Sequence, residues 1–179
     1  MGLRITTLAH AQNKKESTMK SLKQRTHGAL PAEGIKGKSG REILQGIVDG
    51  TLPSPPISES LTFELVEVGD GFAAFEGETG PHLLNPAGTV HGGWALTLID
   101  SATGCAAYTK LGPDTLYTTV ETKANFVRPI MHNTGRVRAE AHVISAGRQI
   151  ITTECKVFGP DKKILASGTS TLIVLQNRG

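Results

Sequence analysis

The chain has 179 residues, 38% hydrophobic and 20% charged, with a formal net charge of +3. That length suits one domain with a substantial core, and two would be a squeeze. No apolar run approaches the roughly 20 residues that span a bilayer, no apolar secretory signal opens the chain, and Cys105 and Cys155 read as reduced core thiols of a cytoplasmic protein.

The charge is uneven. Residues 1–41 hold nine Lys/Arg against two Asp/Glu, so the arm carries about +7 and the remainder about −4. Residues 1–38 show no hydrophobic periodicity, and the favoured reading is a solvated, disordered basic arm. An acid-poor start with Arg and Ser also fits an organelle transit peptide, although its arginines are few, and Met19 offers a second start. Nucleic-acid or membrane binding would need aromatics or an amphipathic pattern among the basic residues, and neither is present.

Residues 39–56 read as a short helix and a proline-rich connector. Ser39-x-x-Glu42 is a capping box, Ile43, Leu44, Ile47 and Val48 share one helical face, and Gly50 supplies a stop. Leu52-Pro-Ser-Pro-Pro56 is then an extended connector. From residue 57 to 179 a single domain is expected. Alternation from Leu61 to Val68, the turn Gly69-Asp70-Gly71 and a second run from Phe72 to Thr79 predict a hairpin. The small, apolar run from Gly92 to Leu111 predicts a buried helix of roughly five turns. Four strands follow, over Leu116–Val127, Gly135–Ser145, Gln149–Phe158 and Lys163–Leu175. One greasy helix beside six mostly antiparallel strands is an α+β domain, with the sheet curved around the helix.

Ala32-Glu-Gly-Ile-Lys-Gly-Lys38-Ser39 satisfies a relaxed phosphate-loop pattern, but no strand precedes it. It reads as a linker ending in a helix cap. The stretch Asn85-Pro-Ala-Gly-Thr-Val-His91-Gly92-Gly93 opens the long helix, where unpaired amides and partial positive charge collect. The Gly92 amide is a candidate oxyanion donor. A lone His-Gly-Gly would more often be a tight turn. Asp100 shifts that balance, because it lies among Leu96, Leu98, Ile99 and Ala102, and residues 91–109 contain no Lys or Arg to pair it. Eight residues of helix span about 12 Å, so Asp100 cannot reach a carbonyl held at Gly92 of its own chain. If both act on one substrate, a two-fold homodimer with two composite sites is the simplest arrangement.

These residues, with Asp100-Ser-Ala, Thr118-Thr119-Val-Glu121 and Asn125-Phe-Val-Arg128-Pro129, resemble the phenylacetate-degradation (PaaI-like) acyl-CoA thioesterase branch of the hotdog-fold thioesterases. The resemblance covers residues 52–175. It implies a hotdog fold, a long central helix wrapped by a six-stranded antiparallel sheet, in homodimers and often dimers of dimers. It also implies hydrolysis of acyl-CoA without metal or organic cofactor. Asp100 would be nucleophile or general base. Gly92 of the other subunit would bind the thioester oxygen, with His91 and Asn85 shaping that end and Thr119 orienting water. Gly93, Arg128, Arg148 and Trp94 would contact substrate, the arginines through CoA phosphates. Exposed strand-end charges explain the arginines equally well, and core or dimer packing explains Trp94 equally well. A dehydratase would need a His-Phe-Pro-Gly-x-Pro loop, and His-Gly-Gly stands there instead. The alternative is a non-catalytic acyl-CoA-binding regulatory module.

Overall fold

The computed structural model describes residues 25–175. Its sequence order is α1 (Ala32–Ile35), α2 (Gly40–Val48), α3 (Pro56–Ser60), β1 (Phe63–Gly69), β2 (Phe72–Glu78), a 3-10 turn (Pro81–Leu83), α4 (Gly92–Tyr108), β3 (Leu116–Phe126), β4 (Arg136–Ala146), β5 (Ile150–Phe158) and β6 (Ile164–Leu175). The strands form one sheet in the order β1-β2-β4-β5-β6-β3, antiparallel at every pairing. The sheet curls around α4, which touches all six strands. This is the α+β layout expected from the pattern of elements, and it is the hotdog fold that the resemblance implied. Among the described residues no helix is long and apolar enough to cross a membrane.

The long helix is held by close approach. Leu98, Ile99, Ala102 and Ala106 have no measurable exposure and face the sheet. A methyl group at Gly168 on β6 would lie 2.7 Å from the Ile99 side chain and 2.4 Å from the Lys123 carbonyl, so only glycine lets strand, helix and neighbouring strand meet there. The opposite side of α4 is open. Gly93, Asp100 and their neighbours Leu96, Thr97 and Ser101 keep solvent contact, so the helix is not apolar all round but bears one accessible stripe.

The capping box at the start of α2 forms as expected. The Glu42 amide donates to Ser39 Oγ at 3.3 Å, and the Ser39 amide donates to Glu42 Oε2 at 2.8 Å. The Ser39 hydroxyl, which donates to Glu42 Oε2 at 2.7 Å, and then the Ser39 amide hold the Glu42 carboxyl below the usual carboxylate range. Ile43, Leu44 and Ile47 bury against the core and Gly50 follows with φ of +75°. Ser39 is therefore a cap and not a phosphate ligand.

The expected free arm is corrected for residues 25–38. The Arg25 guanidinium donates to the carbonyls of Ile47 (3.3 Å), Val48 (3.1 Å) and Leu65 (3.0 Å), tying this segment to the end of α2 and to β1. Arg25 also stands 3.6 Å from Glu64, whose other contacts are His27 at 3.0 Å and Ser54 Oγ at 2.8 Å. A charge held at 9% side-chain exposure needs such partners. One arginine, invisible to periodicity, thus extends the folded body. The rest of the expected arm, residues 1–24, lies outside the described residues, as does Met19.

Candidate active site

The helix start is built by its own loop. Asn85 Oδ1 accepts from the amides of Ala87 (2.9 Å) and Thr89 (3.2 Å), and its Nδ2 donates to Thr89 Oγ1 at 2.9 Å. Asn85 therefore closes the loop Asn85–Thr89 on itself, and its carbonyl oxygen is spent there. The Val90 amide donates to the Ile130 carbonyl and the His91 amide to the Leu83 carbonyl, both at 2.8 Å, which aims the chain into α4.

His91 is the N-cap. Its Nδ1 accepts from the Gly93 amide at 2.9 Å. An accepting Nδ1 carries no proton, so the neutral ring holds its hydrogen on Nε2. The capping bond uses the Gly93 amide, whereas the Gly92 amide has no acceptor among the described residues. That leaves a backbone N–H at a helix N-terminus, where the peptide dipoles favour negative charge. A methyl group on Gly92 would sit 3.0 Å from the Phe126 ring, and one on Gly93 would sit 3.0 Å from His91 Nδ1. A cleft of about 290 Å³ opens here, between Asn85, His91, Gly92, Phe126, Arg128 and Ile130.

Asp100 lies two turns along the same helix, exposed on the accessible stripe. Thr122 Oγ1 donates to its Oδ1 at 2.9 Å. No other hydrogen bond and no ion pair reaches this carboxylate among the described residues. Eight residues of α4 still separate it from Gly92, about 12 Å along the axis. The structure thus brings Asn85, His91, Gly92 and Gly93 together and holds Asp100 apart from them.

The remaining expected residues divide. Thr119 sits on β3 with its side chain half-buried, but the hydroxyl that reaches Asp100 belongs to Thr122. The reason is a bulge. The register slips between Thr119 and Glu121, so the inward positions run Tyr117, Thr119, then Thr122 and Ala124. Strict alternation cannot reveal Thr122, and nothing in its own neighbourhood of the sequence marks it. Trp94 is 3% exposed and its indole N–H donates to the Leu61 carbonyl at 2.7 Å, so in this chain it is a satisfied core side chain with no surface for a ligand. Arg128 is exposed beside the Gly92 cleft and donates to the Ile164 carbonyl. Arg148, exposed in the turn between β4 and β5, lies by the Ile150–Ile173–Thr118 end of the sheet. Arg128 follows the other end of β3, so one chain does not bring the two arginines together.

A larger cleft, about 570 Å³, lies at the β1 edge, across the sheet from β3. Its walls include Arg25, Glu64, Glu76 and Arg136, all engaged in ion pairs. The Gly92 amide and the Asp100 carboxylate both lie outside it. Among the described residues no group of three His, Cys, Asp or Glu side chains could hold a metal ion.

Known proteins share this fold. A family model described as the thioesterase superfamily matches residues 87–166, which spans both Gly92 and Asp100. A 1,4-dihydroxy-2-naphthoyl-CoA hydrolase from Listeria monocytogenes is 27% identical over 122 residues, covering 68% of this chain and 98% of that protein. A conserved protein from Pseudomonas aeruginosa is 34% identical with a TM-score of 0.62, over 66% of this chain and 93% of that one. A mutant of the phenylacetic acid degradation protein PaaI from Thermus thermophilus is 30% identical with a TM-score of 0.61, over 67% of this chain and 99% of that one. The chain belongs to the PaaI-like hotdog thioesterases. Thioester hydrolysis is the chemistry that this membership carries. Both the Gly92 amide and Asp100 Oδ2 are without a hydrogen-bond partner among the described residues.

Proposed function

We propose that the protein hydrolyses an acyl-CoA thioester to free acid and CoA at a site shared by two copies of the chain. The observation that carries this reading is the spacing on α4: a free amide at Gly92 and an exposed carboxylate at Asp100, about 12 Å apart on one rigid helix. Two antiparallel copies set the amide end of one against the acid end of the other.

The edge strand supports that assembly. Among the described residues β3 pairs with β6 alone, and Leu116, Val120 and Phe126 along it are each more than half exposed. A long apolar edge invites another strand. Antiparallel pairing of two β3 strands about an axis near Ala124 would place Phe126, which covers Gly92 in one copy, opposite Thr122, which holds Asp100 in the other.

In the composite site the thioester oxygen accepts from the Gly92 N–H, with His91 and the Asn85 loop fixing that donor. Water adds to the carbonyl carbon as its proton passes to Asp100, the alkoxide is held by the amide, and collapse breaks the C–S bond. The CoA thiolate leaves and recovers the proton. Direct attack by Asp100 gives an anhydride that water then opens. Single turnover in ¹⁸O-water reads the route: label in Asp100 marks an anhydride opened at the Asp100 carbonyl, whereas direct addition of water labels only the acid product. Arg128 and Arg148, at opposite ends of one sheet, approach each other only between copies, where both would meet CoA phosphates. Dimers of dimers and a cytoplasmic location belong to the same proposal.

The test is complementation. Asp100→Asn removes the acid, and Gly92→Pro removes the amide N–H at a first helical position that accepts proline, so each is expected to abolish release of CoA from an acyl-CoA panel. Co-assembled, they should recover about a quarter of wild-type turnover per chain, because half of random dimers carry one intact site. No recovery from dimers shown by sedimentation to be mixed would overturn the shared site.

A further inference from the structure

Behind Asp100 runs a row of hydroxyls. Thr122 Oγ1 lies 2.9 Å from Asp100 Oδ1 and 3.0 Å from Ser170 Oγ, and Ser170 Oγ lies 2.8 Å from Thr103 Oγ1. Thr103 and Ser170 are almost wholly buried. Thr122 and Ser170 are direct cross-strand partners on β3 and β6, and Thr103 stands one helical turn beyond Asp100, so three elements meet at this row.

Hydrogen counting gives the row a direction. Each hydroxyl owns one hydrogen, and an ionised carboxylate only accepts. The Thr122 hydrogen therefore points to Asp100, so the hydrogen between Thr122 and Ser170 must come from Ser170. That leaves Ser170 an acceptor toward Thr103. Thr103 also stands 2.8 Å from the Ile99 carbonyl and 3.0 Å from the Asp100 carbonyl, where a helical threonine ordinarily gives its hydrogen. Giving it there would leave two hydroxyl oxygens 2.8 Å apart with no hydrogen between them. Polarisation along the row toward a charged end favours the ordered chain Thr103 to Ser170 to Thr122 to Asp100.

Resting on the reading of Asp100 as the reacting acid, we infer that Thr122 is its positioning residue, with Ser170 and Thr103 fixing the Thr122 hydroxyl. The bond pins Oδ1 and supplies it with a donor, so the reacting proton or new C–O bond forms at Oδ2. The carboxylate plane is set before substrate arrives, which is the condition for short-range reaction geometry. No sequence motif marks Thr122, and the family-like Thr119 does not reach Asp100.

The experiment compares CoA release by wild type, Thr122→Val, Thr122→Ser, Ser170→Ala and Asp100→Asn, each with a thermal melt. Thr122→Val keeps the shape and removes the donor, so kcat should fall about tenfold with KM within about twofold. Thr122→Ser should restore kcat to near wild type, and Ser170→Ala should lower it less than Thr122→Val does. A merely structural role on an edge strand would move the melt and KM together and would not be rescued by the hydroxyl. Wild-type kcat in Thr122→Val beside an inactive Asp100→Asn would overturn the positioning role alone. Full turnover in Asp100→Asn would overturn the reading of Asp100 itself.

Discussion

Two carboxylates at opposite edges of the sheet show how partnering separates a fully paired acid from one with an oxygen to spare. Glu64, by β1, is satisfied on both oxygens: His27 meets Oε1, while Ser54 and Arg25 meet Oε2. Asp100, by β3, has Oδ1 held by Thr122, and its Oδ2 meets no partner among the described residues. Glu64 is nearly buried and Asp100 is exposed, the reverse of what their sequence settings suggest. Glu64 alternates with Phe63 and Leu65, so period two alone would turn it outward, whereas Asp100 sits in a greasy helix. The molecule buries the acid it can pair and leaves accessible the one it cannot.

The sharpest way to break this contrast is to neutralise each acid. Asp100→Asn should lower turnover by about a thousandfold or more, with the melting temperature nearly unchanged. Glu64→Gln should do the opposite: leave kcat near wild type and cost about 3 kcal/mol in urea unfolding, because Arg25 loses its charge partner at low exposure. Equal losses of turnover in the two variants would erase the distinction.

A somewhat smaller effect is expected from the clasp on Glu64. Arg25→Ala removes the donor to three carbonyls, and a loss of about 2 kcal/mol is expected by denaturant titration. Truncation sharpens the point. Removing residues 1–24 should leave the urea midpoint and turnover nearly unchanged, while removing 1–38 should lower the midpoint by an amount like that of Arg25→Ala or more. Equal midpoints for the two truncations would mean that the clasp contributes nothing.

The smallest effect concerns the thiols. Burial pushes the Cys105 thiol up to about 12, with the charge of Asp100 adding to it, and burial does the same to Cys155, with Glu140 adding. Neither is a thiolate at pH 8, so iodoacetamide should leave native protein unmodified by mass, and unfolding should expose both. Alkylation of Cys105 in the native protein would show that the helix around Asp100 opens more readily than its packing implies.

Much of this was legible in the chain. Alternation and turn residues located all six strands, and the small apolar run located the helix, because period and punctuation are local properties. The Gly92–Asp100 separation followed from helix rise alone. Three features were not legible, each for a long-range reason. Arg25 takes its meaning from carbonyls 22, 23 and 40 residues away. Trp94 is core because Leu61, 33 residues earlier, offers a carbonyl. Thr122 reaches Asp100 only because a bulge, which leaves no mark on hydropathy, resets the strand between Thr119 and Glu121.

That bulge carries an electrostatic consequence. Tyr117 packs its ring 5.3 Å from Tyr108, which fixes the first inward position of β3. An unbroken count by twos from Tyr117 would then turn Glu121 toward α4 and Thr122 away from it. A second negative charge would face Asp100 where a neutral donor now stands, and the two acids would compete for one proton. Instead Glu121 stays exposed and accepts from Thr171. A single surplus residue in an edge strand therefore decides whether the helix acid works beside a hydroxyl or against a rival.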